Sequence, residues 1–402
     1  MNFLLLNQFF PPDDAPTGQL LADVARALAA EGHSVTVVCS RTVYAGGSAN
    51  LELPGVEVQR LRTTSFGHGH TAKLAAYASF YAGAAWRALF GPRPDVILTL
   101  TTPPLLSLAG SFVKLLRGTQ HFIWEMDVYP DIAVDLGLFR RGMIPDRLVG
   151  ALADFSLRRC DGVIALGPCM RDRLLARGIP DAQVAVAENW ADGSIVSPRP
   201  FPPNLPLTLL YSGNLGRAHD VDTIAETMES LGNSARFRFV FAGAGPRRDR
   251  LAARCKAADV TNAFFLPYQD RHRLGEHLGS CHVGLVTQRA ATCGSVVPSK
   301  IYPLMAAGRP FIYIGPAEAT PARNIARFGC GWRIEPGDST ALTDLLESLA
   351  AQPELVAAAG ARARQAFLRH YDTAHGVARI LKILGPAEVP LQEPLEARKA
   401  AQ

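Results

Sequence analysis

Three strand-ending segments in the second half of the chain carry residue types suited to holding an anion. The first, "LYSGNLGRAHDVDTI" (210–224), leaves an apolar run at Ser212 and turns through Gly213, Asn214 and Gly216 before Arg217, His219 and a helix start. The second, "FVFAGAGPRRDRL" (239–251), repeats the pattern with Gly243, Gly245, Arg247 and Arg248. The third, "VVPSKIYPLMAAGRP" (296–310), sets Pro298, Ser299, Lys300 and Ile301 at a helix start and closes on Gly308. Glycines let backbone N–H groups approach a phosphate, and a nearby cation adds charge and directed hydrogen bonds. With Ser299 as N-cap, residues Lys300 to Pro303 form a first turn whose N–H groups lack internal partners. A proline is tolerated there, and an anion is favoured by the helix end together with Lys300. Taken alone, a Ser–Lys helix start is ordinarily a cap with a solvated lysine. Three such sites in one half of the chain, two carrying arginines, point to an anion-binding cleft.

Strands and helices must position these segments. Short apolar runs without polar alternation predict strands buried on both faces at Phe3–Leu6, Ser34–Cys39, Val56–Leu61, Asp95–Leu100, His121–Trp124, Asp161–Leu166 and Gln183–Ala187. Between the first two, Leu20, Leu21, Val24 and Leu28 line one helical face, and Gly32 is a natural stop. The proline-rich "SPRPFPPNLPL" (197–207) breaks the rhythm as a linker over 197–206. Strands then resume at Leu207–Ser212, Phe237–Ala242, Ala263–Leu266, His282–Thr287, Pro310–Ile314 and Gly331–Ile334. The expected architecture is α/β: two doubly wound Rossmann-like domains, 1–196 and 207–375, facing a cleft. The segment 376–402 is read as a helix returning to the first domain and then a loose tail.

Bulk properties limit the function classes. Of 402 residues, 48% are hydrophobic and 19% charged, which suits two globular cores. A net charge of +5 fits anionic ligands, and no Lys/Arg block marks a nucleic-acid binder. The seven cysteines lack paired spacing, so disulfide and zinc readings are weak and a cytoplasmic setting is expected. The opening "MNFLLLNQFFPPDD" reads as a strand and not a signal peptide, and no apolar run is long enough to span a membrane.

In this order, the motifs resemble family 4 glycosyltransferases of the two-domain GT-B fold, in the subgroup that builds bacterial O-antigen, capsule and colanic-acid-type polysaccharides. The resemblance covers about Met1 to Leu384. It rests on "FFPPDDAPTGQLLADVARALAAEGHSVTVV" (9–38), "MDVYPD" (126–131), "ENWADG" (188–193), "YSGNLGRAHDVDT" (211–223), "FAGAGP" (241–246), "FLPYQ" (265–269) and "VPSKIYPLMAAGRP" (297–310). It implies a nucleotide-diphosphate sugar, expected to be a UDP-sugar, held mainly by the C-terminal domain. The loop after Ser212 and the Ser299–Lys300 start would hold the diphosphate. Tyr268 and Gln269 would flank the base, and Thr17–Gly18 would approach the donor phosphates. Asp127 matches the place where family members meet the donor sugar or acceptor. The reaction implied retains configuration, needs no metal or further cofactor, and takes a lipid-linked or oligosaccharide acceptor on the cytoplasmic face of the inner membrane. Arg217 and Lys300 would stabilise the departing charge.

The sequence also departs from that family. Many members carry two glutamates eight positions apart where Ser295 and Pro303 stand here, so ribose and donor-sugar recognition is expected to differ. The usual lysine aligns with His219, and Arg217 is expected to supply the charge instead. A sugar-nucleotide epimerase of the same fold and a non-catalytic scaffold subunit are the rival readings. Asp220-Val221-Asp222 imitates a metal motif but opens a helix, where acidic residues serve as caps. His68 and His70 sit in a "GHGH" loop with no ligand spacing. "TAKLAAYASFYAGAAWRALFG" (71–91) offers Leu74, Tyr77, Phe80, Tyr81, Ala84, Trp86, Leu89 and Phe90, flanked by Lys73 and Arg87. It is read equally as a buried crossover helix or a headgroup-docking one, and Phe112 to Arg117 adds to the second reading.

Overall fold

The computed structural model describes residues 1–13, 15–41, 53–64, 70–203 and 205–385. The His68 loop and the tail from 386 lie outside these residues. The first domain is a parallel seven-stranded sheet of β1 (Asn2–Leu6), β2 (Ser34–Ser40), β3 (Val56–Leu61), β4 (Val96–Leu100), β5 (Gln120–Trp124), β6 (Gly162–Ala165) and β7 (Val184–Val186). Their order is β3-β2-β1-β4-β5-β6-β7. The second sheet holds β8 (Leu207–Ser212), β9 (Phe237–Ala242), β10 (Ala263–Leu266), β11 (Val283–Thr287), β12 (Phe311–Ile314) and β13 (Gly331–Ile334), ordered β10-β9-β8-β11-β12-β13. All thirteen apolar runs read from the sequence are strands, and both sheets are doubly wound; Val56–Leu61, expected to be buried on both faces, is an edge strand and only partly buried.

Helices cover both faces of each sheet, which is why Leu5, Leu6, Val37, Val38, Ile97 and Leu98 are all fully buried. The first domain carries α1 (Pro16–Ala30), α2 (His70–Phe90), α3 (Ser107–Arg117), α4 (Asp131–Asp135), α5 (Ile144–Arg159) and α6 (Pro168–Ala176). The second carries α7 (Asp222–Leu231), α8 (Pro246–Ala257), α9 (Leu274–Gly279), α10 (Ile301–Ala306), α11 (Thr320–Phe328), α12 (Ser339–Ala351) and α13 (Pro353–His370), followed by α14 (Thr373–Leu384). Pro16 starts α1 where its missing N–H costs nothing, and Gly32 at φ +84° follows its end. The residues of α2 divide between two surroundings. Phe80 and Ala84 enter the core against β1 and β4, while Leu74, Trp86 and Phe90 face outward. No helix among the described residues is long and apolar enough to cross a membrane.

Two features tie the halves together. The linker is pinned by Arg309, which is fully buried and donates through Nη2 to the carbonyls of Arg199, Pro200 and Gly279 at 3.0, 2.9 and 2.7 Å. The chain then returns: Val377, Ile380 and Leu384 of α14 join the core of the first domain. Gly376 abuts Trp190 so closely that a Cβ there would lie 2.2 Å from the ring, and Trp190 Nε1 donates to Asp23 at 2.9 Å.

Candidate active site

In an open parallel sheet, the crevice for a ligand lies at the carboxyl ends of the two strands where the winding reverses. In the second domain these are β8 and β11. The turn after β8 is stitched to its neighbours by Gly213 N–H to Ala242 O and Leu215 N–H to Ala244 O, both at 2.8 Å. Arg289 N–H donates to Ala218 O at 2.8 Å and closes the gap between the β8 and β11 loops. Lys300 lies over this turn. Its Nζ is 3.4 Å from Asn214 O and 5.1 Å from the centre of the Tyr211 ring, whose hydroxyl donates to Asn214 O at 2.8 Å. Lys300 is half-buried, and loss of hydration pulls its ammonium down to about 8.

The glycines are demanded by this packing. Gly213, Gly243 and Gly245 have φ of +120°, +128° and +124°. A Cβ on Gly213 would meet Lys300 Cε at 2.8 Å, and one on Gly245 would meet Asn214 Oδ1 at 2.5 Å. Gly216 and the exposed Arg217 continue the same turn. Arg217 makes no hydrogen bond or ion pair among the described residues, so its guanidinium is available to a ligand. Tyr268 is exposed after β10, and Gln269 donates to Pro267 O at 3.0 Å.

Four expectations need correction. Ser299 does not cap α10: Lys300 occupies the N-cap position, and no side chain bonds the first N–H groups. The helix has only six residues, so its dipole is short and the positive charge at this helix start rests on Lys300. Ile301 is buried in the core, so it offers a ligand only its backbone. His219 is partly buried and presents no donor to a phosphate. Its Nδ1 donates to Thr287 O at 2.8 Å, which leaves a lone pair on Nε2, and burial with Lys300 nearby lowers its pKa to about 3. The paired aspartates are engaged locally, Asp220 accepting from Thr223 N–H at 3.2 Å and Asp222 lying among Arg247, Arg250 and Arg254.

Across the cleft, Asp127 follows β5 and forms an antiparallel bridge with Val296, four residues before Lys300. Val128 N–H donates to Ser295 O at 2.9 Å, and Asp127 N–H donates to Thr101 Oγ1 at 3.2 Å. The Asp127 carboxylate has no hydrogen-bond partner among the described residues, and burial raises its pKa to about 6. Thr17 and Gly18 lie at the start of α1, where Thr17 Oγ1 is 3.4 Å from Asn7 Nδ2. Among the described residues, no hydrogen bond joins either of them to the second domain.

Two further residues belong to this site. Gln288 directly follows β11 and is fully buried. It donates to Thr292 O and Val296 O at 2.9 and 3.1 Å and accepts from Tyr313 at 2.7 Å, shaping the loop that meets Asp127. Glu125 sits buried two residues before Asp127 with Oε2 unpartnered, and burial raises its pKa to about 8. A polar residue closing an otherwise apolar strand was the available sequence signal for both.

The seam also depends on Gly167 at the start of α6. A Cβ there would lie 2.0 Å from Thr320 Oγ1 at the start of α11. The Gly167→Ala variant is therefore expected to hold the domains apart and lower turnover about tenfold while each domain stays folded. Adding Thr320→Ala should restore turnover. Full activity in Gly167→Ala alone would show that this contact does not govern closure.

Comparison with known proteins agrees with this architecture. Residues 17–190 match the family described as glycosyl transferase 4-like domain, and residues 198–366 match glycosyl transferases group 1. The probable glycosyltransferase WbjE of Pseudomonas aeruginosa is 29% identical over 64% of this chain and 66% of that relative, just under two thirds of its length. The putative colanic acid biosynthesis glycosyl transferase WcaI of Escherichia coli K12 is 24% identical over 77% of this chain and 82% of the relative. The crystal structure of Anabaena HepE in complex with UDP-glucose superposes with a TM-score of 0.69 at 13% identity, covering 96% of this chain and 99% of that one. That likeness concerns the fold.

Proposed function

We infer, from the premise that the chain belongs to the glycosyltransferases that join a 4-like domain to a group 1 domain, that it moves a sugar from a nucleotide-diphosphate donor to a glycan acceptor in bacterial surface polysaccharide assembly. The observation that carries this reading is Lys300 poised over the Gly213–Asn214 turn at the reversal point of the second sheet. The relatives WbjE and WcaI and the UDP-glucose complex of HepE support it. We take the donor to be a UDP-sugar and the acceptor to be lipid-linked, met at the cytoplasmic face of the inner membrane.

When the bond to the anomeric carbon breaks, the departing diphosphate gains negative charge. Lys300 neutralises that charge from one side, and Arg217 reaches it from the same turn. These cations do the work of charge stabilisation, and the transfer is proposed to need no metal. The acceptor hydroxyl attacks from the face the diphosphate leaves, which retains configuration, and a donor phosphate oxygen takes its proton. Asp127, on the opposite wall, orients the acceptor or the donor sugar. It is ionised for that role above about pH 6.

The test is thermal stabilisation by UDP, GDP, ADP and TDP, each with and without Mg²⁺. Binding at about 100 times the dissociation constant should add about 2.7 kcal/mol for the correct base, unchanged by metal. Incubation with the matching donor sugar alone should then give at most slow hydrolysis. Accumulation of an epimer would replace transfer with epimerisation, and no stabilisation by any nucleotide would favour a scaffold with a degenerate site.

A further inference from the structure

Cys169 and Cys293 lie far apart in the chain, and the fold brings them together across the seam between the domains. Cys169 is in the first turn of α6, in the first domain. Cys293 follows β11 in the second domain, between Gln288 and Lys300. Several contacts fix the two segments against each other. Arg173 of α6 donates through Nη1 to Cys293 O at 2.8 Å, and a Cβ on Gly294 would lie 2.5 Å from Cys169 O. The Cys293 thiol is within hydrogen-bonding reach of the Cys169 sulfur, which also lies 3.4 Å from Thr320 Oγ1. Cys169 is buried in the core of the first domain, and the half-buried Cys293 packs against that core from the second.

The pair differs from the other cysteines. Cys39, Cys160, Cys255, Cys281 and Cys330 are buried, and burial raises each of their thiols. Cys169 moves the other way: hydrogen bonding from Cys293, joined by Thr320, lowers its thiol despite burial, while Cys293 keeps its proton. A thiolate beside a second thiol is the arrangement of an oxidisable cysteine and its resolving partner. We propose that Cys169 and Cys293 form a redox latch, which a peroxide converts to a disulfide that fastens the two domains together and stops turnover. The Cys169 thiolate attacks one peroxide oxygen. An S–O bond forms, the O–O bond breaks, and hydroxide leaves and is protonated to water. The Cys293 sulfur then attacks the Cys169 sulfur, forming the S–S bond and breaking S–O, and its proton leaves with the hydroxyl as a second water. The two sulfurs lose two electrons, and the peroxide gains them. Exchange with a dithiol reverses the step. The position of the bond gives its effect. Val296, which bridges Asp127, lies on the same loop as Cys293, so the disulfide holds the segment leading to Lys300 against the first domain. A cleft held shut cannot exchange substrate and product. The loss of turnover rests on the transferase reading, but the disulfide itself does not.

Hydrogen peroxide applied to the full-length protein tests this directly. Of the seven thiols counted after denaturation, two should be lost, and peptide mapping without reductant should link Cys169 to Cys293. The thermal midpoint should rise by about 5 °C and fall back with dithiothreitol. Turnover, measured with the donor that the nucleotide screen selects, should fall at least about tenfold and recover with the same reductant. Cys293→Ser should turn over as wild type does before and after peroxide, with no shift of midpoint, and Cys169→Ser should likewise form no link. A count that stays at seven, a link between other cysteines, or a linked protein that turns over as fast as the reduced one would overturn the proposal. A reduced protein inactive with every donor would count against the transferase reading alone. The link and the midpoint need no donor, so they would still decide whether the latch forms.

Discussion

Lys300→Ala is expected to lower kcat about 10²-fold while leaving the folded protein at least as stable as the wild type. Both halves of this result follow from one placement. The ammonium sits half-buried over the Tyr211 ring and the Asn214 carbonyl, with no carboxylate ion-paired to it among the described residues. A carbonyl and an aromatic face support a cation weakly, so burial lowers its pKa to about 8, against about 10.4 in the unfolded chain. The folded-state value is the lower one. Between about pH 8 and 10.4 the unfolded chain therefore holds more protons, and the lysine's contribution to stability rises with pH across that window. At neutral pH the charge costs stability, and alanine removes the cost. An anionic diphosphate supplies the missing counter-charge, which is why the same residue is worth most when donor is bound and departing. In the free wild-type protein, kcat/KM should rise through about pH 6 as Asp127 ionises and fall above about pH 8 as Lys300 loses its proton. The variant should lose the alkaline limb. Normal turnover together with a lowered melting midpoint would reverse the assignment and make Lys300 a structural residue.

The contrast between what was readable in the sequence and what was not has a physical origin. Strand runs such as Val96–Leu100 and Val283–Thr287 are buried on both faces, so their composition alone declares them. The glycine turns were legible for a similar reason: positive φ at Gly213, Gly243 and Gly245 restricts those positions almost to one residue type. Helix caps are local and weakly specified, and the chain places Lys300 rather than Ser299 at the start of α10. His219 sits in an anion-suited turn by sequence, but sequence distance hides Thr287, whose carbonyl fixes its ring from 68 positions away. Gln288 was missed likewise, since its value lies in contacts with 292–296 that only the folded chain creates, and Glu125 because its burial is a property of the packed sheet end. Gly167 shows the limit most sharply. Nothing near it in sequence says that Thr320 of the other domain will lie against it.

Gly243→Ala should be the most damaging single-methyl change in the second domain. At φ +128° an L side chain is strained before any contact is considered, at a cost of about 1–3 kcal/mol. The added Cβ would also lie 2.2 Å from Gly213 O and 2.8 Å from Gly213 C. These are backbone atoms held by Gly213 N–H to Ala242 O at 2.8 Å, so no side-chain rotation can relieve the clash. Relief requires the Gly213–Asn214 turn to move away from β9, and Lys300 lies against the other side of that turn. Overpacking adds about 1–3 kcal/mol more, and the displaced turn loses the N–H groups and the cation that face a diphosphate. We expect nucleotide affinity to fall about 10²-fold or more, by calorimetric titration, together with a clear loss of stability in denaturant. Gly232→Ala provides the control. Gly232 has φ +57° with open space around its Cβ position. At ψ −150° it should lose about 1–3 kcal/mol of stability to its glycine-favouring backbone and bind nucleotide normally. If Gly243→Ala keeps wild-type affinity while Gly232→Ala does not, the turn after β8 is not the diphosphate site, and the charge over it at Lys300 serves another purpose.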